Sequence, residues 1–311
     1  MDDQSPITDR SLAPATGVVA DPGGLLARFG LDAFRPGQRD VVDAVSGGAD
    51  VMCVMPTGGG KSLCYQLPSL MRSGTTIVVS PLIALMKDQV DALERLDIRA
   101  RLINSSLTSH QQQDAMASMS RGEVDLVYVA PERLRNRLFL DAVAGANVTL
   151  LAVDEAHCVS EWGHDFRPDY ARLGMFRERY LDGVQTIALT ATATPMVRED
   201  IGQLLGLRDP KVFVTGFARS NLRLSVLQCG SDQEKDAQII QRLQDHPDES
   251  GIIYCSTRKR CEELTERLVG KAGQPIACYH AGMLPEQRHR VQEAFMGGEL
   301  NAIVATNAFG M

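Results

Sequence analysis

The run Met55-Pro56-Thr57-Gly58-Gly59-Gly60-Lys61-Ser62 follows four apolar residues, Val51-Met52-Cys53-Val54. A short apolar run opening into glycines reads as a strand that feeds a tight loop. Glycines let successive backbone N–H groups point into one concavity, and such a concavity holds phosphate oxygens. A helix starting at the end of the loop adds the positive end of its dipole. In this pattern Thr57, Gly58, Gly59 and Gly60 supply the cradle. Lys61 reaches the β- and γ-phosphates of a nucleoside triphosphate, and the Ser62 hydroxyl ligates Mg²⁺. The full motif opens on Gly, and here that position is Met55; the closing Gly60-Lys61-Ser62 is intact.

A second apolar run, Thr149-Leu150-Leu151-Ala152-Val153, ends in Asp154-Glu155-Ala156-His157. An acidic pair at a strand's C-terminal end is where a phosphate-loop enzyme places its metal carboxylate. Asp154 is expected to hold Mg²⁺, through water, because that ion dehydrates reluctantly. Glu155 is expected to orient the attacking water and take its proton.

The elements around these two loops set their position. Strands are expected at Val51–Met55, Thr76–Ser80, Arg101–Ile103, Asp125–Ala130, Thr149–Asp154, Thr186–Thr190 and Lys211–Val214. Helical patterns, such as Leu82–Leu96, Ser109–Met119 and Met196–Leu205, alternate with them. This alternation predicts an α/β fold with a parallel sheet covered on both faces, and it puts both loops at the carboxyl edge. After a pause near residues 216–223 a second α/β series begins. It runs through strand Leu224–Gln228, helix Asp232–Asp245, strand Gly251–Ser256, helix Arg258–Val269, strand Ile276–Tyr279, helix Pro285–Met296 and strand Ala302–Thr306. The expected organisation is a disordered tail over 1–22, a first lobe over 23–217 and a second, incomplete lobe over 218–311.

With 311 residues the chain is long enough for two domains. A net charge of −7 means that any nucleic acid contact must come from a local groove. The 26 arginines against 6 lysines suit phosphate forks, although genome composition explains such a bias equally well. None of the seven cysteines forms a Cys-x-x-Cys pair, so they are expected to be reduced and buried, neither a zinc cluster nor a disulfide framework. With no apolar run of membrane-spanning length and no signal peptide, an intracellular, soluble protein is expected, cytoplasmic if bacterial.

Over residues 23–311 the chain resembles the RecQ family of superfamily 2 DNA helicases, through a series of motifs in the family's order. Phe29-Gly30-Leu31-Asp32-Ala33-Phe34-Arg35-Pro36-Gly37-Gln38 resembles its adenine-recognition segment. Met55–Ser62, Val78–Val90, Tyr128–Leu134 and Asp154–His157 are similar to motifs I, Ia, Ib and II. Cys158-Val159-Ser160-Glu161-Trp162-Gly163-His164-Asp165-Phe166-Arg167-Pro168 looks like the family's aromatic-rich loop. Leu189–Ala193 resembles motif III, Ile252–Arg258 motif IV, and Ala305–Met311 the opening of motif V. The fold so implied is a pair of RecA-like lobes, and the activity is ATP-dependent 3′→5′ unwinding of DNA in repair and recombination, on single-stranded and forked DNA, with ATP and Mg²⁺ as cofactors.

The resemblance implies roles residue by residue. The Gln38 amide would pair with the adenine edge and Arg35 would lie over the purine face; an ordinary turn before a helix is the plainer alternative. Trp162, His164, Phe166 and Arg167 would sense single-stranded DNA, because base–aromatic stacking contributes about 1–3 kcal/mol per base. Anchoring of Trp162 and Phe166 in the core is the alternative. His157, Thr190 and Thr192 would couple nucleotide state to DNA grip through inter-lobe hydrogen bonds, or would only pack the strand edge. Ser80, Lys87 and Arg133, with Ser256, Thr257, Arg258 and Thr306, are expected phosphate-backbone contacts. His280 is expected to make a strand-end hydrogen bond, not to bind metal. No Gln-Gly-Arg-Ala-Gly-Arg-like segment supplies an arginine finger, which commonly contributes 10³–10⁵ in turnover. The expectation is therefore a chain that binds ATP–Mg²⁺ but turns it over weakly. A DNA-binding module without catalysis and an RNA helicase of the DEAD/DEAH type are the competing readings.

Overall fold

The computed structural model describes residues 21–163, 165–216 and 222–309. The chain divides into two compact units, Met1–Arg219 and Ser220–Met311.

The first unit is built on seven strands: β1 (Val51–Val54), β2 (Thr75–Val79), β3 (Ala100–Ile103), β4 (Leu126–Val129), β5 (Val148–Val153), β6 (Gln185–Thr190) and β7 (Lys211–Val214). They form one sheet in the order β3-β4-β2-β5-β6-β1-β7, with every pairing parallel. The strands are apolar on both faces because helices cover both. Alternate residues feed two separate cores: Met52, Ile77, Val79, Leu151 and Val153 enter one layer. Val51, Cys53, Val78, Leu150 and Ala152 enter the other. That division is the two-residue period of a strand read twice. β6 lies between β5 and β1, so the acid pair and the glycine loop leave the same edge of the sheet, two strand positions apart.

At the opposite edge, where the strands begin, a buried ion pair ties four segments. Arg177 Nη2 donates to Asp50 Oδ2 at 2.6 Å, with the two side chains 6% and 5% exposed. Asp50 also accepts from the backbone N–H of Thr186 at 2.7 Å and of Arg208 at 2.8 Å. Arg177 donates further to the carbonyls of Leu205 and Gly206. The residue before β1 is thus fixed to β6, to helix Leu173–Tyr180 and to the end of helix Pro195–Leu204.

The second unit has three parallel strands, β8 (Gly251–Tyr254), β9 (Ile276–Tyr279) and β10 (Ala302–Ala305), in the order β8-β10-β9. Val304 packs with Cys261, Leu264 and Leu268 on one face. Ile303 and Ala305 pack with Tyr279, Phe295 and Phe309 on the other.

Three expectations change. Residues 1–20 of the expected tail lie outside the described residues, but Pro22 already opens helix Pro22–Leu26, where a proline needs no N–H partner. No strand forms at Leu224–Gln228; Leu224 and Val226 are 91% and 96% exposed, so the alternation there has no neighbour to pack on. The cysteines are all free, but three are only partly buried: Cys255 and Cys278 lie at the second unit's thin sheet, and Cys229 lies in the irregular stretch before helix Asp232–Asp245. No helix among the described residues is long and apolar enough to cross a membrane.

Candidate nucleotide and nucleic-acid site

The glycine loop adopts backbone that only glycine takes readily: Gly58 and Gly60 have φ of 78° and 79°. A Cβ on Gly59 would stand 2.9 Å from the Pro56 carbonyl, and one on Gly60 2.3 Å from Gln38 Nε2. Both positions are therefore closed to a side chain by the loop's own backbone and by Gln38. Lys61 Nζ donates to the Met55 carbonyl at 3.4 Å, which folds the ammonium back over the loop. Ser62 sits immediately before helix Leu63–Leu70.

Gln38 is 2% exposed. Its Nε2 donates to the carbonyls of Gly60 at 3.0 Å and Gly59 at 3.3 Å. Its Oε1 accepts from the Arg35 backbone N–H at 2.7 Å, and the Arg35 guanidinium donates to the Gly58 carbonyl. Both side chains expected to read a base therefore hold the phosphate loop in this structure. They also line a cavity of about 260 Å³ with Phe29, Leu31, Leu63 and Leu96, apolar on the sides where a flat ring fits.

At the tip of β5, Asp154 is held by three contacts. Ser80 Oγ donates to its Oδ2 at 3.5 Å, the Glu155 N–H donates to its Oδ1 at 3.0 Å, and Tyr170 Oη donates to its backbone carbonyl at 2.9 Å. Burial, and then the neighbouring Glu155 charge, push the Asp154 carboxyl up to about 6, while the Lys61 ammonium acts in the opposite sense. The lysine of one loop and the aspartate of the other thus share an electric field. Glu155 has φ 46° and ψ 46°, left-handed backbone that a non-glycine residue adopts at a cost of about 1–3 kcal/mol.

His157 is 5% exposed and its Nδ1 lies 2.9 Å from Thr190 Oγ1 and 3.3 Å from Glu155 Oε2. The Thr190 hydroxyl donates to the Thr192 carbonyl at 3.1 Å. Its oxygen also accepts from the Thr192 N–H at 3.3 Å, and the Glu155 carboxylate, which only accepts, favours a proton on His157 Nδ1. This chain links the tips of β5 and β6 within the first unit.

The loop beyond departs from the core. Trp162 is 70% exposed and Phe166 36%. Gly163 is required at its turn, since a Cβ there would lie 2.2 Å from the His157 carbonyl. Arg167 donates to the Pro81 carbonyl at 3.0 Å and to Asp165 Oδ2 at 2.9 Å. Trp162 lines a cavity of about 490 Å³ with His157, Thr192, Thr194, Arg198 and Val214. His164 lies outside the described residues.

The expected backbone contacts fare differently. Ser80 is 2% exposed and supports Asp154, so it belongs to the acid site and not to an open surface. Lys87 is exposed and pairs with Asp91 at 2.6 Å. Arg133 is half-buried and donates to Gln112 at 3.1 Å. In the second unit Ser256, Thr257 and Arg258 are exposed, Thr257 capping helix Arg258–Leu268 by accepting from the Arg260 N–H at 3.2 Å, and Thr306 is half-buried. His280 Nε2 faces Glu262 Oε1 at 2.9 Å, the hydrogen bond expected of it. Tyr170 and Asp50 were not legible as site residues. An isolated aromatic and an isolated acid acquire their roles only when the chain folds back.

A parallel sheet with a glycine phosphate loop and an acidic strand tip on one edge defines a RecA-like nucleotide-binding lobe. The DEAD/DEAH box helicase profile matches residues 35–201, and the helicase conserved C-terminal domain profile matches residues 234–311. The chain belongs to the DEAD/DEAH box helicase family, and it is similar to RecQ helicases over most of its own length. It is 45% identical over 286 residues to the ATP-dependent DNA helicase RecQ of Bacillus subtilis, covering 91% of this chain and 47% of that protein. The RecQ of Pasteurella multocida is 42% identical over 287 residues, covering 92% and 45%. The chain therefore spans about half the length of these relatives. The fold is shared with the Mycobacterium smegmatis helicase Lhr bound to ssDNA and AMP-PNP (TM-score 0.67, 23% identity, 94% of this chain and 43% of that one). It is also shared with the DUF1998 helicase MrfA bound to DNA and AMPPNP (TM-score 0.69, 19% identity, 93% and 44%).

Proposed function

We propose that residues 23–217 and 218–311 act as the two lobes of an ATP-driven motor. It binds ATP with Mg²⁺, and hydrolysis drives 3′→5′ movement along single-stranded DNA and the opening of forked duplex in repair and recombination. The observation that carries this reading is the placement of the Lys61 loop and the Asp154 strand tip on one edge of one parallel sheet, two strand positions apart. The residues fit the cofactors: the glycine loop has no room for side chains and left-handed backbone at Gly58 and Gly60, which suits N–H groups turned to phosphate, and Ser62 and Asp154 offer the oxygen donors a hard cation prefers. Mg²⁺, when bound, neutralises phosphate charge. The Lys61 ammonium exchanges the Met55 carbonyl for phosphate oxygen. Glu155 holds a water and takes its proton, with its carboxylate set beside His157. The flat cavity beside Arg35 and Gln38 takes the base, and Gln38 then gives up its hold on the loop carbonyls.

Exposure of the single tryptophan, one short loop from Glu155, supports a stacking contact with an unpaired base. Lys87, Arg133, Ser256, Thr257, Arg258 and Thr306 remain the phosphate-backbone contacts in this reading. Phosphate release from ATP tests it. Release is expected to be slow in this chain, yet it should rise with single-stranded DNA more than with RNA of the same sequence, and Lys61→Ala should lower it at least tenfold. Equal stimulation by RNA, or an unaffected Lys61→Ala variant, contradicts the proposal.

A further inference from the structure

We infer that His157, Cys158 and Asp165 form a three-ligand site for a divalent transition metal, Zn²⁺ foremost, inside the loop that carries Trp162. The ligand atoms lie within 4.8 Å of one another. His157 Nε2 is 3.7 Å from Cys158 Sγ, and Cys158 Sγ is 3.9 Å from Asp165 Oδ2. Both separations are within reach of a weak sulfur hydrogen bond. They match the edge of a zinc tetrahedron, about 3.6 Å when Zn–S is about 2.3 Å and Zn–N or Zn–O about 2.0–2.2 Å.

The imidazole is already in the form a metal needs. Glu155 Oε2, an acceptor 3.3 Å from Nδ1, favours the proton there and leaves the Nε2 lone pair toward the cysteine. A ligating histidine characteristically donates its other N–H to such an outer partner. Arg167 does the same for Asp165, donating from Nε at 3.1 Å and Nη2 at 2.9 Å. Both bonds end on Oδ2, so Oδ1 is the oxygen left to the ion.

Cys158 and His157 are 0% and 5% exposed, whereas the Asp165 side chain is 49% exposed and gives the ion its entrance. Thiolate and imidazole select zinc-like ions over Mg²⁺, so the site is chemically distinct from the one at Ser62 and Asp154. Binding converts the Cys158 thiol to a thiolate that donates an electron pair to the metal, and the proton passes to solvent. An ion held there ties Asp165 back to residues 157 and 158 and closes the Trp162 loop into a ring, two positions beyond the acid pair. Metal binding here needs no nucleotide, although His157 also faces the Glu155 carboxylate of the motor reading.

The test uses the full 311-residue chain, titrated with Co²⁺ and then Zn²⁺. Two signals are followed: the Co²⁺–thiolate charge-transfer absorption and the emission of Trp162. One saturable site is expected, displaced by Zn²⁺ and not by excess Mg²⁺. Cys158→Ala and Asp165→Asn should each weaken it at least tenfold, while Cys261→Ala leaves it unchanged. Asp165 is exposed, so its substitution does not depend on refolding a core. No thiolate band, a band that survives Cys158→Ala or Asp165→Asn, or a band lost instead in Cys261→Ala (whose Sγ lies 2.9 Å from Cys278 Sγ) overturns the proposal.

Discussion

Asp154 is held against its ordinary chemistry, and that has a measurable sign. An unfolded aspartate ionises at about 3.9, while burial and Glu155 push this one up to about 6. Between those values the folded chain binds more protons than the unfolded one. Stability therefore falls as pH rises through that window and stays lower above it. In metal-free buffer at neutral pH, Asp154→Asn should melt higher than the parent, by on the order of 2 kcal/mol. The difference should close as pH falls below about 4; thermal unfolding across pH reads this directly. A parent chain that is the more stable at neutral pH contradicts it. Gly60→Ala is the second test at this scale. The added methyl meets Gln38 Nε2 and the φ of 79° disfavours it, so ATP affinity should drop at least tenfold with little change in the second unit. Residues at these positions were readable from sequence because their chemistry requires both type and spacing. What could not be read was the present engagement of Gln38 and Arg35 with loop carbonyls, since that depends on where two segments meet, not on either one.

Elements set the precision of the site. β1 and β5 both end at the reactive edge because parallel strands share a direction, and β6 spaces them. The strand runs were legible from their unbroken apolar character, and their ends fell within two residues of expectation, except Leu224–Gln228. That segment has the right alternation but no partner strand among the described residues. Alternation specifies a face to bury; it does not supply the neighbour. The Asp50–Arg177 pair was equally invisible, being 127 positions apart in sequence. Arg177→Ala leaves a buried carboxylate without its counter-ion and should cost about 3–5 kcal/mol in denaturant unfolding. Arg177→Met also leaves Asp50 charged but fills the volume, so it should cost less than Arg177→Ala. Equal stability of Arg177→Ala and the parent would show that the pair does not hold this corner.

At the scale of the whole molecule, a net charge of −7 gives no general attraction to nucleic acid. DNA affinity must then come from few phosphate contacts plus base stacking. Binding of single-stranded DNA should weaken with salt more gently than for a strongly basic protein. Trp162→Ala should lower it about tenfold at any salt, measured by fluorescence anisotropy, and an unchanged affinity would return Trp162 to a structural role. Fold class and family were legible because many short motifs recur in one order over most of the chain. The measurement closest to the central claim is a double-mutant cycle on ATP–Mg²⁺ affinity with Lys61→Ala, Asp154→Ala and both together. If the two side chains serve one metal-bound triphosphate, the paired loss falls short of the sum of the single losses by at least about 1 kcal/mol. Strict additivity would mean that the lysine and the aspartate act at separate places, and the account would fail.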